Sequence, residues 1–318
     1  WKDSRIMKHY IVTIEESKQF LSSHFNSKVT HVELLNGGDW SAAYAYALEG
    51  EEYVIRFAAN REDFAKDQAI SKYASKKLHV PEVTEIGEAL RGYYAVSKRH
   101  HGIFLDEIDG DQMGKTLPSL LKTLDEIREV NLTGTTGYGW WEAKGVGNCA
   151  TWQDFLMSGF DDKPDERTHG WRKKLESSST GTEPFDRIRR ALEALAVDMP
   201  DERHLIHNDL LYRNVLVEDN RISVVIDWGN SMYGDFLYDI SLLIYYWSWF
   251  PEWEDIDIKQ VILDHYASAG LEVPNIEKRL LCYQIHIGLD GIKYSAFTGN
   301  HDHLEQKTEQ TLKLLDYL

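Results

Sequence analysis

The chain has few cysteines and no long apolar run. Its 318 residues include only Cys149 and Cys282, which lie far apart and lack the close spacing of zinc ligands. The sequence therefore indicates neither a disulfide framework nor a zinc cluster. The longest apolar stretch, residues 240–250, is interrupted by serines and is shorter than the roughly 20 residues that span a bilayer. We therefore expect a cytoplasmic protein without a membrane partner.

Basic residues are also in deficit. The chain has 35 Lys and Arg against 52 Asp and Glu, a net charge of −17. This balance argues against a nucleic-acid partner, because such proteins neutralise phosphates with clustered basic side chains. Residues 1–100 carry 14 basic and 14 acidic groups, whereas residues 101–318 carry 21 and 38. The whole excess of negative charge lies in the second part of the chain.

The length and the pattern of short apolar runs predict two domains. Hydrophobic residues make up 42% and charged residues 27% of the chain, which excludes intrinsic disorder. At roughly 150 residues per domain, the length suggests two lobes. We place the first at residues 1–99 and the second at residues 100–318, and we expect a monomer.

The two parts differ in the secondary structure that they predict. In the first part, Gly-containing turns separate strand-like runs, which indicates an antiparallel sheet. The predicted order is three strands (29–35, 42–48, 53–57), a helix (61–77) and two strands (81–86, 93–96). After Gly102 most segments have helical periodicity, at residues 116–130, 152–160 and 185–197 and beyond residue 235, whereas residues 133–147 are expected to form a loop. The fold class expected is α+β.

Residues 203–239 hold the most informative pattern. A polar loop over residues 207–214 precedes a strand, an Asp219-Asn220 turn and a second strand that ends at Asp227. Because the strands pair about a short turn, the two ends of this hairpin should lie close together. Asn214 and Asp227 would then face each other, with Asp209 five residues before Asn214.

Oxygen-bearing side chains in this arrangement suit phosphoryl transfer. Mg²⁺ binds through a few carboxylate or amide oxygens and completes its shell with water and phosphate oxygens. Asn214 and Asp227 are therefore candidate ligands of a nucleotide-bound Mg²⁺, and Asp209 could accept a hydrogen bond from a hydroxyl nucleophile. These residues could also be ordinary capping and turn residues of a hairpin, but their ordered combination favours the catalytic interpretation.

The motifs resemble a known superfamily. The run His207 to Asn214 (HNDLLYRN) followed by Ile226-Asp227-Trp228 looks like the catalytic and metal motifs of the aminoglycoside phosphotransferase and choline-kinase-like superfamily. Further stretches resemble its hygromycin B phosphotransferases, at residues 151–155, 203–207, 222–228, 232–235 and 287–290. The resemblance implies a bilobal protein-kinase-like fold, with a sheet-rich nucleotide-binding lobe and a mainly helical catalytic lobe. It also implies ATP or GTP, with Mg²⁺, as cofactors.

The resemblance also assigns residues of the first lobe to the nucleotide. Gly37, Gly38 and Ser41 would cover the phosphates, because glycine lets backbone N–H groups approach anionic oxygens. Taken alone, the same residues could also form an ordinary hairpin turn. The third strand of the family presents a Lys to the phosphates, but this chain has Arg56 there, which is not a geometric equivalent. Asp67 is the favoured acidic partner on the following helix.

Other residues of the resemblance have alternatives. Glu62 and Asp63 rival Asp67 as the acidic partner, and any of the three could lie on a solvated helix face. Ser97 and Arg99 would bind adenine through their backbone. Asp235 and Asp239 match positions that brace the catalytic loop, and His207 matches a scaffold residue that orders it.

The acidic second part of the chain favours a cationic acceptor, since an acidic cleft concentrates positive solutes. The preferred residue is Asp290, because it lies within a stretch that resembles the family. The other candidates are acidic side chains, with tryptophans that could stack on sugar rings or on a cation: Asp154, Glu252, Glu254, Asp255, Asp257, Trp247, Trp249 and Trp253. The alternatives are an acidic surface that promotes solubility and an aromatic run that belongs to the core.

Three functions are compatible with these features. The first is an ATP-dependent O-phosphotransferase that acts on a hydroxyl of an aminoglycoside antibiotic of the hygromycin type and confers resistance. The second is a kinase of a small metabolite such as choline, homoserine or methylthioribose. The third is a catalytically silent nucleotide-binding protein, which the presence of Asp209, Asn214 and Asp227 disfavours.

Overall fold

The protein is described by a computed structural model that covers residues 12–26, 28–35, 41–74 and 78–318. The chain divides into two compact units. Unit 1 runs to Glu107 and adds the segments Glu142–Lys144 and Tyr212–Asn230. Unit 2 comprises Ile108–Trp141, Gly145–Leu211 and Ser231–Leu318. The expected boundary at residue 99 is therefore near the end of the first segment of unit 1, but it omits the hairpin that the chain adds to unit 1 later.

Unit 1 is built on a five-stranded antiparallel sheet. Its elements are α1 (Ile14–His24), β1 (Val29–Leu35), β2 (Ser41–Leu48), β3 (Glu51–Ala58), α2 (Arg61–Ser71), β4 (Val83–Ala89) and β5 (Gly92–Lys98). The strands lie in the order β1-β2-β3-β5-β4. This agrees with the predicted order of three strands, a helix and two strands, whereas α1 was not predicted. The register places Arg56 of β3 between Ala43 of β2 and Ala95 of β5.

A three-stranded sheet completes unit 1. It contains β6 (Ile103–Phe104), β10 (Val215–Glu218) and β11 (Arg221–Val225), in the order β11-β10-β6. Asp219 and Asn220 connect β10 to β11, and their φ values of 50° and 57° place both residues in the left-handed region. A two-residue turn of this kind matches the twist of paired strands, and Asp and Asn tolerate its backbone conformation. The expected hairpin is therefore present.

Unit 2 is mainly helical. Its helices are α3 (Gly110–Arg128), α4 (Trp152–Met157), α5 (Trp171–Glu176), α6 (Glu183–Ala196), α7 (Leu237–Trp247), α8 (Ile258–Ser268), α9 (Ile276–Thr298) and α10 (His301–Leu314). With the sheet of unit 1, this composition confirms the expected α+β class. Among the residues that the structure describes, no helix combines the length and the apolarity needed to cross a lipid bilayer.

A small sheet of unit 2 replaces the loop expected over residues 133–147. Its strands are β7 (Tyr138–Glu142), β8 (Val146–Cys149), β9 (His204–Ile206) and β12 (Met232–Gly234), in the order β8-β7-β12-β9. Gly137 has a φ of 71°, and a Cβ there would lie 2.6 Å from the carbonyl oxygen of Gly147. The glycines that suggested a loop instead allow two strands to approach closely, so the loop prediction was wrong here.

The long helix α9 forms the centre of unit 2 together with α7 and α10. Between Arg279 and Ala296, α9 is buried on nearly all sides, and this part includes Gly288 and Gly291. A Cβ at Gly288 would lie 2.2 Å from Oγ1 and 2.6 Å from Cγ2 of Thr311 on α10. Thr311 is fully buried and its hydroxyl is 2.8 Å from the hydroxyl of Tyr245, so it has no room to move. Close packing of α9 against α10 therefore depends on the missing side chain at Gly288.

We expect Gly288→Ala to lower the free energy of unfolding by about 1–3 kcal/mol, because it overpacks the contact with Thr311. The matched control is Gly114→Ala in α3, where a Cβ meets nothing within 4 Å. This control should raise stability by up to about 1 kcal/mol through helix propensity alone. Urea denaturation followed by circular dichroism measures both variants. Equal stabilities of the two variants would contradict the packing argument.

Candidate active site

A buried carboxylate fixes the loop that carries Asp209. Asp239, in the first turn of α7, is 2% exposed. Its two oxygens accept hydrogen bonds of 2.8 Å from the backbone N–H groups of His207 and Asn208. The N–H of Asp209 in turn donates to Nδ1 of His207 over 3.2 Å. Three successive backbone N–H groups are thus held, which sets the position of half-buried Asp209.

Burial also changes the acidity of Asp239. It raises the pKa of the Asp239 carboxyl to about 6, while the hydrogen bonds from His207 and Asn208 oppose this rise. The carboxylate is therefore ionised at neutral pH and can accept from both N–H groups. His207 is fully buried and accepts at Nδ1, which agrees with the interpretation of His207 as a scaffold residue.

Asp235 has a different role from the one expected. Its carboxylate binds the guanidinium of Arg279 on α9 at 2.7 and 2.8 Å and accepts a hydrogen bond from the hydroxyl of Tyr283. It also accepts from the N–H of Leu237 at 3.0 Å. These contacts tie the start of α7 to α9. The hydrogen bonds donated by the loop that carries Asp209 are accepted by Asp239 instead.

The mouth of the hairpin in unit 1 carries Asn214 and Asp227. The carbonyl oxygen of Asn214 accepts a hydrogen bond of 2.8 Å from the N–H of Ile226, the residue before Asp227. Asn214 is 7% exposed, whereas the side chain of Asp227 is 49% exposed. Asp227 has a φ of 59°. Such a left-handed conformation costs energy, and it is commonly kept at functional sites where the surrounding structure enforces it.

Arg213, next to Asn214, is also held in the left-handed region, with a φ of 67°. Its backbone N–H donates to Oδ1 of Asp106 at 3.1 Å, and its guanidinium pairs with Glu107 at 2.6 Å. Burial raises the pKa of Asp106, and the hydrogen bond from Arg213 opposes the rise. The 3₁₀ turn Leu105–Glu107 therefore fixes the approach to Asn214.

An ion-pair cluster surrounds Arg56, which stands where the resemblance implies a Lys. The guanidinium of Arg56 forms an ion pair with Asp67 of α2 and lies 3.9 Å from Oδ1 of Asp227. The other oxygen of Asp67 accepts from the N–H of Trp228 at 2.8 Å. Asp67 is 6% exposed. It therefore links Arg56 to the segment that carries Asp227.

The rivals of Asp67 have other positions. A carboxylate oxygen of Glu62 accepts from the N–H of Ala143 at 2.6 Å. The side chain of Asp63 and the residues Gly37 and Gly38 lie outside the described part of the chain. Ser41 begins β2 and is half-buried. The structure therefore pairs Arg56 with the residue that the spacing favoured.

The adenine-binding residues expected at the end of β5 are partly engaged in the sheet. Ser97 pairs with Val54 and with Val83. The N–H of Arg99 donates to the carbonyl oxygen of Glu52 at 3.0 Å, and its guanidinium binds Glu33 and Glu52. Of the backbone groups of Arg99, the carbonyl is the one left for a ligand.

A divalent metal fits the donors of the hairpin. Amide and carboxylate oxygens are hard ligands, and two of them leave the remaining positions of Mg²⁺ to phosphate and water. Among the described residues no group of three or more His, Cys, Asp or Glu side chains is placed to bind a metal. Two oxygen donors are enough for a metal that a nucleotide brings with it, because phosphate and water can fill its other positions.

The acceptor residues expected in unit 2 have several different environments. Asp154 caps α4, because its carboxylate accepts from the N–H of Thr151 at 3.2 Å. Glu252 and Glu254 are exposed, and Asp257 caps α8 by accepting from the N–H of Gln260. Asp255 is also exposed.

The tryptophans of this region belong mainly to the core. Trp253 is 1% exposed, stacks on Phe250 and donates to the carbonyl oxygen of Ile108 at 3.0 Å. It therefore has no free ring face, and its assignment to the acceptor site was wrong. Trp247 is 7% exposed and donates to the carbonyl oxygens of Trp253 and Ile256. Trp249 is half-buried.

Asp290 is exposed to solvent, yet protein surrounds it closely enough to affect its acidity. Burial raises the pKa of its carboxyl, and the nearby Lys293 and Lys307 oppose this rise. Its charge also contributes to the raised pKa of buried Tyr238, whose hydroxyl lies 2.8 Å from Nδ1 of His286. An accessible carboxylate in such surroundings is suited to bind a ligand group.

Comparison with known proteins identifies the family. The family model described as the phosphotransferase enzyme family matches residues 31–277. The chain belongs to this family. Hygromycin-B 4-O-kinase from Escherichia coli is 29% identical over 301 residues, which cover 93% of this chain and 83% of that protein. The chain is therefore a kinase that uses a hydroxyl group as acceptor.

Solved structures agree with this membership. A thermostable mutant of aminoglycoside phosphotransferase APH(4)-Ia, in a ternary complex with AMP-PNP and hygromycin B, matches with a TM-score of 0.81 and 27% identity. The match covers 94% of this chain and 97% of that chain. Choline kinase LicA from Streptococcus pneumoniae has the same fold, with a TM-score of 0.63 at 15% identity over 96% of this chain and 98% of that chain. These structures confirm the protein-kinase-like fold class.

Several residues of this phosphotransferase that contact the candidate site residues or lie near them gave no signal in the sequence. Asp106 and Glu107 hold Arg213, but they lie more than a hundred positions earlier in the chain. Lys66 is 4% exposed and donates to the carbonyl oxygen of Gly229 at 2.7 Å. Lys307 also gave no signal, because one lysine in an amphipathic helix resembles any other. None of these residues belongs to a local motif.

The raised pKa of Asp239 predicts a pH-dependent contribution to stability. In the unfolded chain an Asp titrates near its ordinary value of 3.8, whereas in the folded protein Asp239 titrates near 6. The folded state therefore binds the proton more tightly, so this contribution is fully present below pH 4 and is lost as pH rises through about 6. The free energy of unfolding of the wild type relative to Asp239→Asn should increase as pH falls from 6 to 4.

Urea titrations at several pH values measure this difference, with exposed Asp264→Asn as the matched control. At pH 7.5 Asp239→Asn should also lower turnover about tenfold, because its amide group cannot accept from both N–H groups of the loop. A difference that is independent of pH, or that has the opposite slope, would contradict the assignment.

Proposed function

We propose that the enzyme transfers the γ-phosphoryl group of ATP to a hydroxyl of an aminoglycoside antibiotic, with hygromycin B as the first candidate. The observation that carries this proposal is the fixed backbone of the Asp209 loop, which is held by Asp239 and leads directly to Asn214. The 29% identity to hygromycin-B 4-O-kinase supports the acceptor class. The APH(4)-Ia complex with AMP-PNP supports an adenine nucleotide.

Asp209 is the proposed catalytic residue. A carboxylate beside the acceptor hydroxyl accepts its hydrogen bond, orients the oxygen toward the phosphorus and takes the proton as the new bond forms. The described part of the chain has no cysteine, histidine or serine placed as a nucleophile in this loop, since His207 is buried and engaged. Direct transfer in a ternary complex, without a phospho-enzyme, is therefore the proposed route.

The nucleotide is proposed to bind through unit 1. Asn214 and Asp227 would hold Mg²⁺, which neutralises the phosphate charge when it is bound. Arg56 would contact the phosphates from β3, with Asp67 fixing its guanidinium. Arg56 can form two parallel hydrogen bonds where Lys offers a point charge, so activity with ATP is to be compared with activity with GTP. Gly37, Gly38, Ser41, Ser97 and Arg99 remain predicted nucleotide contacts.

The charge distribution supports a cationic acceptor. Excess acidic residues occur after residue 100, where the net charge is −17. The negative electrostatic potential of an acidic region attracts polyamines such as aminoglycosides and so raises their local concentration. The accessible carboxylates that can bind the cationic acceptor are those of Asp290, Glu252 and Glu254. Asp154 also caps a helix, so it would have to bind the acceptor in addition to that role.

Two variants separate chemistry from nucleotide binding. Asp209→Asn should lower kcat by about a hundredfold to ten-thousandfold, because the acceptor loses its proton acceptor, while the affinity for Mg-ATP stays unchanged. Asp227→Ala should instead weaken nucleotide binding in the presence of Mg²⁺ and have little effect without the metal. Isothermal titration calorimetry and steady-state kinetics measure the two effects. Loss of nucleotide binding in Asp209→Asn would contradict its role.

An ADP-release assay over a panel of acceptors tests the function itself. The panel contains hygromycin B, other aminoglycosides, choline, homoserine and methylthioribose, each with ATP and with GTP. We expect turnover with hygromycin B, and expression in a sensitive bacterium should raise its resistance to the drug. Turnover confined to choline, homoserine or methylthioribose would replace the proposal by a metabolic kinase, and no turnover with any acceptor would leave a silent nucleotide-binding protein.

A further inference from the structure

Lys307 of α10 is a buried lysine whose side chain packs beside Gly291, the residue after Asp290. The residue is 5% exposed. Its aliphatic stem lies against α9 at Gly291, where a Cβ would be 2.9 Å from Cδ of Lys307. Nζ lies 5.7 Å from the ring centroid of Tyr246 and 5.6 Å from that of Trp249. The absence of a side chain at Gly291 thus allows Lys307 to lie flat against α9.

The ammonium group of Lys307 has no hydrogen-bond partner among the described residues, and it is not one of their fully buried atoms, so solvent reaches it. Within the described part of the chain it has no hydrogen bond and no ion pair. Its surroundings include the two aromatic rings, the imidazole of His303, whose pKa is lowered by burial and by the charge of Lys307, and the more distant carboxylate of Asp290. Burial consequently lowers the pKa of Lys307 to about 8, against the opposing influence of Asp290. A mostly buried side chain whose ammonium is left to solvent can donate to a ligand that displaces the water.

Lys293 provides an internal comparison. It is 8% exposed and lies three residues after Asp290 on α9. Its Nζ donates to the carbonyl oxygen of Gly159 at 2.7 Å and to a carboxylate oxygen of Glu166 at 2.9 Å. Lys293 is therefore a structural residue that is satisfied within the protein. Lys307 has a similar burial but leaves its donors to another partner.

Asp290 and Lys307 attract each other but do not form a direct ion pair. Among the described residues, no ion pair within 4.0 Å joins them, although each stabilises the charge of the other. Asp290 is exposed to solvent, so a ligand can reach the space beside it. A group that joins the two must accept a hydrogen bond from the ammonium and donate one to the carboxylate. A hydroxyl group does both, whereas an ammonium group cannot accept and is repelled by Lys307.

We propose that Lys307 and Asp290 together bind one neutral hydroxyl group of the acceptor and thereby select for a hydroxyl rather than an amino group at this position. Lys307 donates to the oxygen of that hydroxyl, and its proton is donated to Asp290. Tyr246 and Trp249 exclude water from the other side of the ammonium. This inference rests on the proposed function, and it assigns the recognition of the acceptor's amino groups to other acidic residues.

The test compares Lys307→Met with the wild type in the ADP-release assay with hygromycin B. Methionine keeps the length of the side chain but removes the donor and the charge. The KM for hygromycin B should rise about tenfold to a hundredfold, the effect of a lost hydrogen bond to a charged group, while kcat changes less than about threefold. If Asp290 instead binds an amino group, removal of the neighbouring positive charge should lower KM. The direction of the change therefore decides between the two.

Lys313→Met is the matched control. Lys313 is exposed on the same helix, and its replacement changes the net charge by the same amount without affecting the space beside Asp290. Its KM should equal that of the wild type. In a double-mutant cycle, Asp290→Ala combined with Lys307→Met should raise KM less than the product of the single effects, because both residues bind the same hydroxyl.

Stability is checked by thermal denaturation. Lys307→Met should melt no lower than the wild type, because an apolar group replaces a desolvated charge. If it does not fold, Lys307→Gln keeps a donor without the charge and should give a smaller rise in KM. An unchanged or lowered KM in the variant that folds overturns the inference while leaving the proposed function intact. Absence of wild-type turnover with any aminoglycoside overturns both.

Discussion

The carboxylate of Asp239 is the interaction on which the proposed chemistry most depends. A loop of polar residues has many backbone conformations, and phosphoryl transfer requires one of them to be kept. Asp239 achieves this from α7 by accepting two backbone N–H groups at 2.8 Å in a site that is 2% exposed. Burial makes these bonds strong, and it also raises the pKa of the carboxyl toward 6. The same burial therefore gives the loop its rigidity and makes the carboxyl take up a proton near pH 6.

A second buried carboxylate has a comparable role in unit 1. Asp67 receives the guanidinium of Arg56 and the backbone N–H of Trp228, and it thereby ties β3 to the segment that carries Asp227. In both places a buried acid positions functional groups that are more exposed than itself. Lys307 differs from these two acids, because its polar atoms have no comparable partners among the described residues. Buried charged groups normally have hydrogen-bond partners, as Asp239 and Asp67 do, so the lack of such partners at Lys307 is unusual.

Most of the fold was predictable where local patterns are strong. The strands of the sheet, the helix α2 and the β10–β11 hairpin followed from apolar runs and turn residues. The strands β7 and β8 did not, because Gly137 and its neighbours indicate a turn when they are considered alone, and only the approach of Gly147 shows why glycine is needed. The prediction that Trp253 binds the acceptor was wrong for a similar reason. An aromatic side chain after a helix can stack on a sugar or fill a core, and its burial depends on residues as distant as Ile108.

The sequence by itself determined the membership in a phosphotransferase family and the residues Asp209, Asn214 and Asp227 as the candidates for its chemistry. These residues form a nearly continuous motif, and their spacing along the chain follows from the geometry of one loop and one hairpin. Only the tertiary structure decided which buried acids hold that motif and which lysine beside Asp290 has no partner. Asp239 lies about thirty residues from the loop that it fixes, and Asp106 and Lys307 lie further still from their neighbours in space. Contacts between distant segments depend on how helices and strands pack, and packing leaves no local pattern in the chain.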